Sequence, residues 1–199
     1  MLIDPIDGTN EFVKGVSGKE LNGMFVDGVQ ITTILIGVFN RITSEPLMGV
    51  LNQPFTSFQN GTWRGTCYWG ICYPNWHLSN IEKNDPQKEI VLLSRNDSTS
   101  VTFFQKKHRI EIITGAGNKG VAVIQGKAFG CLLSQTSIYK WDTCAPHAIL
   151  KSLGGNMVNL ANFNPLIYDL DIKVPHPQGI LMYLSQDFLQ LVKEFCKEY

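Results

Sequence analysis

Residues 31–39 read Ile-Thr-Thr-Ile-Leu-Ile-Gly-Val-Phe, and residues 46–55 read Pro-Leu-Met-Gly-Val-Leu-Asn-Gln-Pro-Phe. Both runs are rich in β-branched and other apolar residues, which favour strands. The residues between them, 40–45, are mostly polar, as expected for a turn. The sequence therefore predicts a hairpin of two buried strands, and the remaining elements can be placed around it.

Residues 61–73 are rich in aromatics and glycine and predict another strand pair. The following stretch, 74–88, has two prolines, three asparagines and mixed charges, which are typical of a linker or surface loop. A lobe boundary fits best there. We expect residues 1–80 to form the remainder of an N-terminal metal-binding lobe and residues 81–199 to form a C-terminal α/β lobe that completes an active site.

The second half alternates strand-like and helix-like stretches. Strands are predicted at 90–93, 109–113, 128–133 and 180–184, a short helix at 119–125, and a closing helix from Asp187. Another helix is predicted from Thr143, with Asp142 as its N-cap, Pro146 in its first turn and Gly154-Gly155 as its stop. This order of elements indicates a layered α/β or α+β fold.

Composition narrows the class of protein. The chain has 199 residues, 44% hydrophobic, and its 17 basic residues balance 17 acidic ones. This composition argues against disorder, and the zero net charge gives no reason to expect a nucleic-acid or membrane surface. No apolar run approaches the ~20 residues of a membrane span. The five scattered cysteines suggest reduced thiols, and so we expect a cytoplasmic protein.

The stretch upstream of the hairpin carries the clearest chemistry: Asp4-Pro5-Ile6-Asp7-Gly8-Thr9. Two carboxylates three residues apart, with the Ile6 carbonyl between them, offer the oxygen ligands that Mg²⁺ prefers. Gly8 allows close approach of the backbone to a ligand, and Thr9 offers a hydroxyl and an N–H. A simple turn is the alternative, because these residues all favour turns, and the two interpretations are compatible.

A distant motif, Trp141-Asp142-Thr143-Cys144-Ala145, bears on that choice. Taken alone, Asp142 is an ordinary helix N-cap. Combined with the hexapeptide, it becomes a candidate third carboxylate. Two Mg²⁺ ions about 4 Å apart need carboxylates from several elements and could hold both an attacking water and a leaving oxygen.

Together the two motifs resemble the lithium-sensitive, Mg²⁺-dependent inositol phosphatase superfamily. The likeness extends through residues 32–38, 46–55, 67–70, 115–119, 123–126 and 139–142. The resemblance implies a sugar-phosphatase-like αβαβα sandwich. In that superfamily the Asp-Pro-x-Asp motif follows segments that supply a glutamate metal ligand, and no Gly-Glu-Glu segment occurs in this sequence. We therefore expect a sandwich lacking its N-terminal part.

The resemblance also implies a role for each matching position. Asp4, the Ile6 carbonyl, Asp7 and Asp142 would hold Mg²⁺, and Thr9, together with Asp7, would act in catalysis by orienting the attacking water. Substrate would contact a larger set of residues: Asp7, Gly8, Thr9, Ser94 with Arg95 beside it, Gly115, Ala116, Lys119 and Ser137.

The implied activity is Mg²⁺-dependent removal of the 1-phosphate from inositol 1,4-bisphosphate and inositol polyphosphates by a metal-activated water. Two alternatives remain open: a 3′(2′),5′-bisphosphate nucleotidase of the same superfamily, and a truncated, non-catalytic phosphate-binding protein. The expected partner is a small-molecule inositol phosphate, with no nucleic acid and no membrane, and the expected state is a monomer.

Overall fold

The computed structural model describes residues 1–94, 98–134, 138–171, 175–176 and 179–198. Within them the strands are β1 (Leu2–Asp7), β2 (Glu20–Leu21), β3 (Met24–Phe25), β4 (Thr33–Phe39), β5 (Pro46–Gln59), β6 (Thr62–Tyr73), β7 (Trp76–Ser79), β8 (Ile90–Leu93), β9 (Arg109–Glu111), β10 (Gly130–Leu133), β11 (Asn156–Asn159) and β12 (Ile180–Tyr183). The helices are α1 (Thr9–Lys14), α2 (Ser98–Phe104), α3 (Ala116–Ile124), α4 (Lys140–Ser152) and α5 (Gln186–Glu198), and residues Val29–Ile31 form a single 3-10 turn.

The predicted hairpin lies at the centre of the first sheet, which has the antiparallel order β1-β4-β5-β6-β7. Two predictions beside it are wrong. Residues 61–73 do not form a strand pair but one long strand, β6, which pairs with β5 on one side and β7 on the other. The expected linker, 74–88, contains the edge strand β7. Strand β7 reads Trp-His-Leu-Ser, a short alternation of apolar and polar residues inside a mostly polar stretch. Its backbone bonds to β6 stabilise the strand.

The second sheet has the order β11-β12-β10-β8-β9, with parallel pairing of β10 to β8 and of β8 to β9. Its central strands are buried on both faces, as their continuous apolar runs predict. Alternate residues contribute to two cores. Ile90 and Leu92 point towards α3 and α4, whereas Val91 and Leu93 point towards α2 and α5. The strands of the first sheet precede residue 80 in the chain, and those of the second sheet follow it. The division into lobes at that point stays a prediction.

Helix α4 packs against the first sheet across a row of glycines. Gly37, Gly49 and Gly70 are register partners on β4, β5 and β6. A Cβ on Gly49 would lie 2.1 Å from the carbonyl oxygen of Ala145 in α4. The missing side chains therefore allow the helix backbone to approach the sheet closely.

The opposite face of the first sheet is apolar and partly exposed. Two cross-strand rows run over it: Ile3, Ile36, Val50 and Trp69, then Val38, Met48, Ile71 and Leu78. Ile3, Met48 and Leu78 are 49%, 41% and 44% exposed. Helices α3 and α4, which contact this sheet, lie on its other face. The described residues thus build a sheet-helix-sheet-helix sandwich, consistent with the expected layered α/β fold.

The start of α4 differs from the prediction. The helix begins at Lys140, so Asp142 is its third residue and not its N-cap, and Pro146 lies beyond the first turn. The Asp142 carboxylate accepts the backbone N–H of Tyr139, the residue just before the helix, at 2.7 Å. A carboxylate at the third helical residue accepts the N–H of the residue before the helix, whereas an N-cap side chain accepts an N–H of the first turn. An aspartate near a helix start can occupy either position, which explains the misplacement. None of the described helices has the length and apolar character of a membrane span.

Candidate active site

Three carboxylates from two elements meet at one end of the first sheet. Asp4 and Asp7 come from β1, and Asp142 comes from the first turn of α4; one oxygen from each lies within 4.8 Å of the others. In a regular strand, residues three apart point to opposite faces. The pairing of β1 with β4 shifts register between Asp4 and Asp7, which allows both carboxylates to reach the same place. Pro5 is tolerated here because β1 is an edge strand.

Each carboxylate is held by backbone donors. Asp4 Oδ1 accepts the N–H of Ile6 at 3.1 Å, and Asp142 accepts the N–H of Tyr139. Asp7 Oδ2 accepts the N–H of Gly117 in α3 at 2.7 Å. Because these donors are fixed by secondary structure, the three side chains are arranged before any ligand binds.

The proximity of the carboxylates has an electrostatic cost. Burial raises the pKa of Asp142 to about 7, the Tyr139 N–H opposes that rise, and the carboxylates of Asp7 and Asp4 add to it. Burial also raises the pKa of Asp7, against the effect of the Gly117 N–H and the charge of Lys119. No ion pair found in the described part of the chain involves any of the three.

This donor set fits a hard divalent cation. Several carboxylate oxygens close together, without a neutralising lysine or arginine paired to them, are the ligands that Mg²⁺ prefers. A cation at their centre would replace the mutual repulsion with attraction and favour the charged carboxylates. Asp4, Asp7 and Asp142 therefore have the chemistry that the sequence predicted for a metal centre.

Without metal, the raised pKa of Asp142 predicts a pH-dependent stability. The folded chain holds this proton more tightly than the unfolded chain, where the pKa is near 3.8. The resulting stabilisation is present below the unfolded pKa and is lost as the pH rises through about 7. In EDTA, we expect the free energy of unfolding, measured in urea, to fall from pH 5 to pH 8. The variant Asp142→Asn has no carboxyl to ionise, so its decrease is expected to be smaller; equal decreases would contradict the assignment.

A cavity of about 930 Å³ opens beside the carboxylates. Its wall includes eight of the predicted site residues: Asp7, Gly8, Thr9, Ser94, Gly115, Ala116, Lys119 and Asp142. Ile6 contributes differently, since its carbonyl oxygen accepts the Thr9 hydroxyl at 2.9 Å. Ser137 and Arg95 lie outside the described residues. The catalytic, substrate and metal roles of all these residues stay predictions.

Two glycines shape the cavity wall. Gly8 and Gly115 both have a positive φ, of 82° and 84°. A Cβ on Gly8 would lie 2.6 Å from Ile31 Cδ1, and one on Gly115 would lie 3.1 Å from the same atom. Glycine is favoured at both turns because it allows the positive φ and the close packing on Ile31.

Three further residues at the site were not predicted. Glu11 and Lys14, on α1, form an ion pair at 2.7 Å and line the cavity. Thr33, on β4, donates its hydroxyl to Asp7 Oδ2 at 3.2 Å. Lys14 lies close along the chain to the first motif, so the sequence could have indicated it. The contact of Thr33 with Asp7 depends on strand pairing and has no local sequence signal.

Comparison with known proteins groups the chain with the superfamily that its two motifs resemble. Residues 1–190 match the inositol monophosphatase family. The chain is 38% identical to mouse inositol polyphosphate 1-phosphatase over 181 residues, which cover 79% of this chain and 46% of the mouse protein. It is 30% identical to rat 3′(2′),5′-bisphosphate nucleotidase 1, covering 92% of this chain and 56% of the rat protein. The chain thus spans about half the length of the curated relatives it matches.

Solved structures agree on the fold. The inositol monophosphatase from Anabaena superposes with a TM-score of 0.68 at 16% identity, covering 98% of this chain and 74% of that one. A phosphatase described as an IMPase/NADP phosphatase complexed with Mg²⁺ and phosphate gives a TM-score of 0.63 at 16% identity, covering 96% of this chain and 64% of that one. With two motifs, one carboxylate cluster and a family match along nearly all its length, the chain belongs to the inositol monophosphatase family.

Proposed function

We propose that this chain carries the site of a Mg²⁺-dependent phosphomonoesterase that removes the 1-phosphate from inositol 1,4-bisphosphate and inositol polyphosphates. The observation that carries the proposal is the convergence of Asp4, Asp7 and Asp142 beside a cavity that also contains a lysine. Its volume, about 930 Å³, is large enough to enclose a small-molecule substrate. The specific substrate is suggested by the likeness to mouse inositol polyphosphate 1-phosphatase.

The carboxylates of Asp4, Asp7 and Asp142, with the carbonyl of Ile6, would hold the metal. When bound, Mg²⁺ supplies positive charge that lowers the pKa of a water and stabilises the leaving oxygen. The chain's own contribution is to position the charges, because Tyr139 and Gly117 fix two of the carboxylates through backbone N–H groups.

Thr9 would orient the attacking water. Its hydroxyl proton is directed to the carbonyl of Ile6, so the hydroxyl oxygen can accept a hydrogen bond from a water in the cavity. The backbone N–H groups of Gly8 and Thr9 would bind the phosphate that is removed. No covalent phosphoenzyme is required, since water attacks in line with the leaving oxygen.

The substrate beyond the scissile phosphate would lie against α3. Gly115 and Ala116 offer backbone at the start of this helix, and Lys119 is half-buried one turn later on the cavity wall. A half-buried ammonium group suits a second phosphate, which is dianionic near neutral pH. Ser94, which follows β8 and lines the same cavity, would add a hydroxyl for a sugar oxygen. This set explains how a chain with zero net charge could bind a strongly anionic ligand.

A bisphosphate nucleotidase is the second candidate. The match to rat 3′(2′),5′-bisphosphate nucleotidase 1 covers 92% of this chain, a larger share than the 79% matched to the mouse inositol polyphosphate phosphatase. The same carboxylates and the same lysine would serve a nucleotide with two phosphates. A third candidate is a phosphate-binding protein without turnover, since the described residues bring together three carboxylates and supply no glutamate to them.

We also propose that the partner is a small molecule, that the protein acts as a monomer in the cytoplasm, and that it binds no nucleic acid or membrane. The five cysteines are all free thiols, in keeping with a reducing compartment. Cys72, Cys131 and Cys144 are buried, whereas Cys67 and Cys196 are exposed.

One assay separates the three candidates. Phosphate release is measured from inositol 1,4-bisphosphate and from 3′-phosphoadenosine 5′-phosphate, each with Mg²⁺ and with EDTA, for the chain and for Asp4→Asn. We expect faster release from the inositol substrate, abolished by EDTA and by the substitution. Faster release from the nucleotide would favour the second candidate. Calorimetric binding without release would favour the third, and neither binding nor release would contradict all of them.

A further inference from the structure

The Asp7 carboxylate is held by two donors that come from different parts of the chain. The N–H of Gly117, in α3, lies 2.7 Å from Asp7 Oδ2, and the hydroxyl of Thr33, in β4, lies 3.2 Å from the same oxygen. Two donors from different elements restrict rotation of the carboxylate more than either would alone. Because both bind Oδ2, the other oxygen, Oδ1, is left for a cation.

Thr33 is fixed in its own place. It is the register partner of Asp7 in the pairing of β1 with β4, and its side chain is completely buried. A Cβ on Gly117 would lie 2.0 Å from Thr33 Oγ1 and 3.0 Å from Asp7 Oδ2, so the three groups are tightly packed. At these separations no water can enter between them and replace the hydroxyl as donor.

We propose that Thr33 is a positioning residue for the metal centre: its buried hydroxyl fixes the orientation in which Asp7 presents an oxygen to the cation. The proposal rests on the metal-dependent function proposed above. Groups that orient a metal ligand commonly change metal affinity by about 10- to 100-fold when they are removed. The hydroxyl of Thr33 belongs to that class because it acts through Asp7 and does not itself line the cavity.

The neighbouring residue provides a matched control. The hydroxyl of Thr32 is also buried, yet it has no hydrogen-bond partner among the described residues. Thr32→Val therefore makes the same chemical change one residue away, without removing a contact to Asp7. Thr32 lies just before β4, so this variant tests whether loss of any buried hydroxyl near the start of the strand disturbs the site.

The experiment measures binding of Tb³⁺, an oxygen-preferring cation, by luminescence sensitised through Trp141, which precedes Asp142 in the chain. We expect Thr33→Val to weaken Tb³⁺ binding by about 10-fold or more, and Thr33→Ser, which keeps the hydroxyl, to stay within about 3-fold of the parent chain. Thr32→Val is expected to bind as the parent does. Thermal melting of each variant reports whether the fold is retained.

A second matched pair, Thr33→Ser and Thr33→Ala, decides the question if the valine variant does not fold. Both lose the methyl group, and they differ only in the hydroxyl, so weaker binding by alanine alone supports the proposal. Equal affinities of the serine, alanine and parent chains would overturn it while leaving the metal site intact. If the parent chain binds no Tb³⁺ in a manner sensitive to Asp142→Asn, the proposed metal-dependent function fails, and this inference with it.

Discussion

Replacing Asp142 with asparagine is expected to weaken metal binding by more than about 100-fold and to abolish phosphate release. Removing a group that only supports a metal ligand lowers metal affinity by about 10- to 100-fold. Loss of a charged ligand itself should lower the affinity further. Asparagine can still accept the N–H of Tyr139 through its amide oxygen, so α4 should keep its first turn. Metal affinity is measured by Tb³⁺ titration and competition with Mg²⁺.

Asp187→Asn is the matched control, because it makes the same change on an exposed carboxylate that pairs with Lys88. It should leave metal affinity unchanged, since surface ion pairs contribute little to stability or to distant sites. Metal binding by Asp142→Asn that equals that of Asp187→Asn would show that Asp142 is not a ligand.

The second large effect is expected from Gly49→Ala, at the centre of the glycine row beneath α4. The new Cβ would lie 2.1 Å from the carbonyl oxygen of Ala145, a backbone atom that can move only if the helix moves. Over-packing of this kind costs typically about 1–3 kcal/mol, and we expect about 3 kcal/mol here. For a chain of this size that corresponds to a decrease in Tm of roughly 6–12 °C.

The same substitution should disturb the metal site, because Ala145 lies three residues after Asp142 in α4. Melting and Tb³⁺ titration are therefore measured on the same samples. Gly61→Ala is the control: its φ is +75°, but no atom lies within 4 Å of the added Cβ. Gly61→Ala should lower the free energy of unfolding by only about 1–2 kcal/mol, because alanine is disfavoured at a positive φ. It should leave Tb³⁺ binding unchanged. A Gly49→Ala variant as stable as Gly61→Ala would contradict the close packing of α4.

Much of the fold could be predicted because its strands carry strong local patterns. The runs 31–39 and 46–55 are long and apolar, and the strands at 90–93 and 180–184 are continuous enough to indicate burial on both faces. These elements gave the hairpin and several strands of the second sheet. The layered fold class followed from the order of these elements along the chain.

Other elements depend on contacts that a local pattern does not contain. Strand β7 lies in a polar stretch and exists because its backbone pairs with β6. The glycines at 37, 49 and 70 are individually ordinary, and only the register of three strands places them in one row. The start of α4 was misplaced because Asp142 bonds to the backbone N–H of Tyr139 from within the helix, and an N-cap would leave the same sequence signal.

The residues of the candidate site could be predicted where they lie in short sequence motifs. Asp4, Asp7 and Asp142 were recognised as carboxylates of two motifs, and the structure brings them together. Their convergence also needs the register shift in β1, which no residue type signals. Thr33 could not be predicted, because its role depends on lying opposite Asp7 in the neighbouring strand.

The most direct test of the metal centre is anomalous diffraction from crystals of the chain grown with Mn²⁺, which takes the same oxygen ligands as Mg²⁺. We expect an anomalous peak within bonding distance of the carboxylates of Asp4, Asp7 and Asp142, and its loss in crystals of Asp142→Asn. Occupied Mn²⁺ sites elsewhere on the molecule, with no peak among these three carboxylates, would contradict the assignment of this cluster as the metal centre.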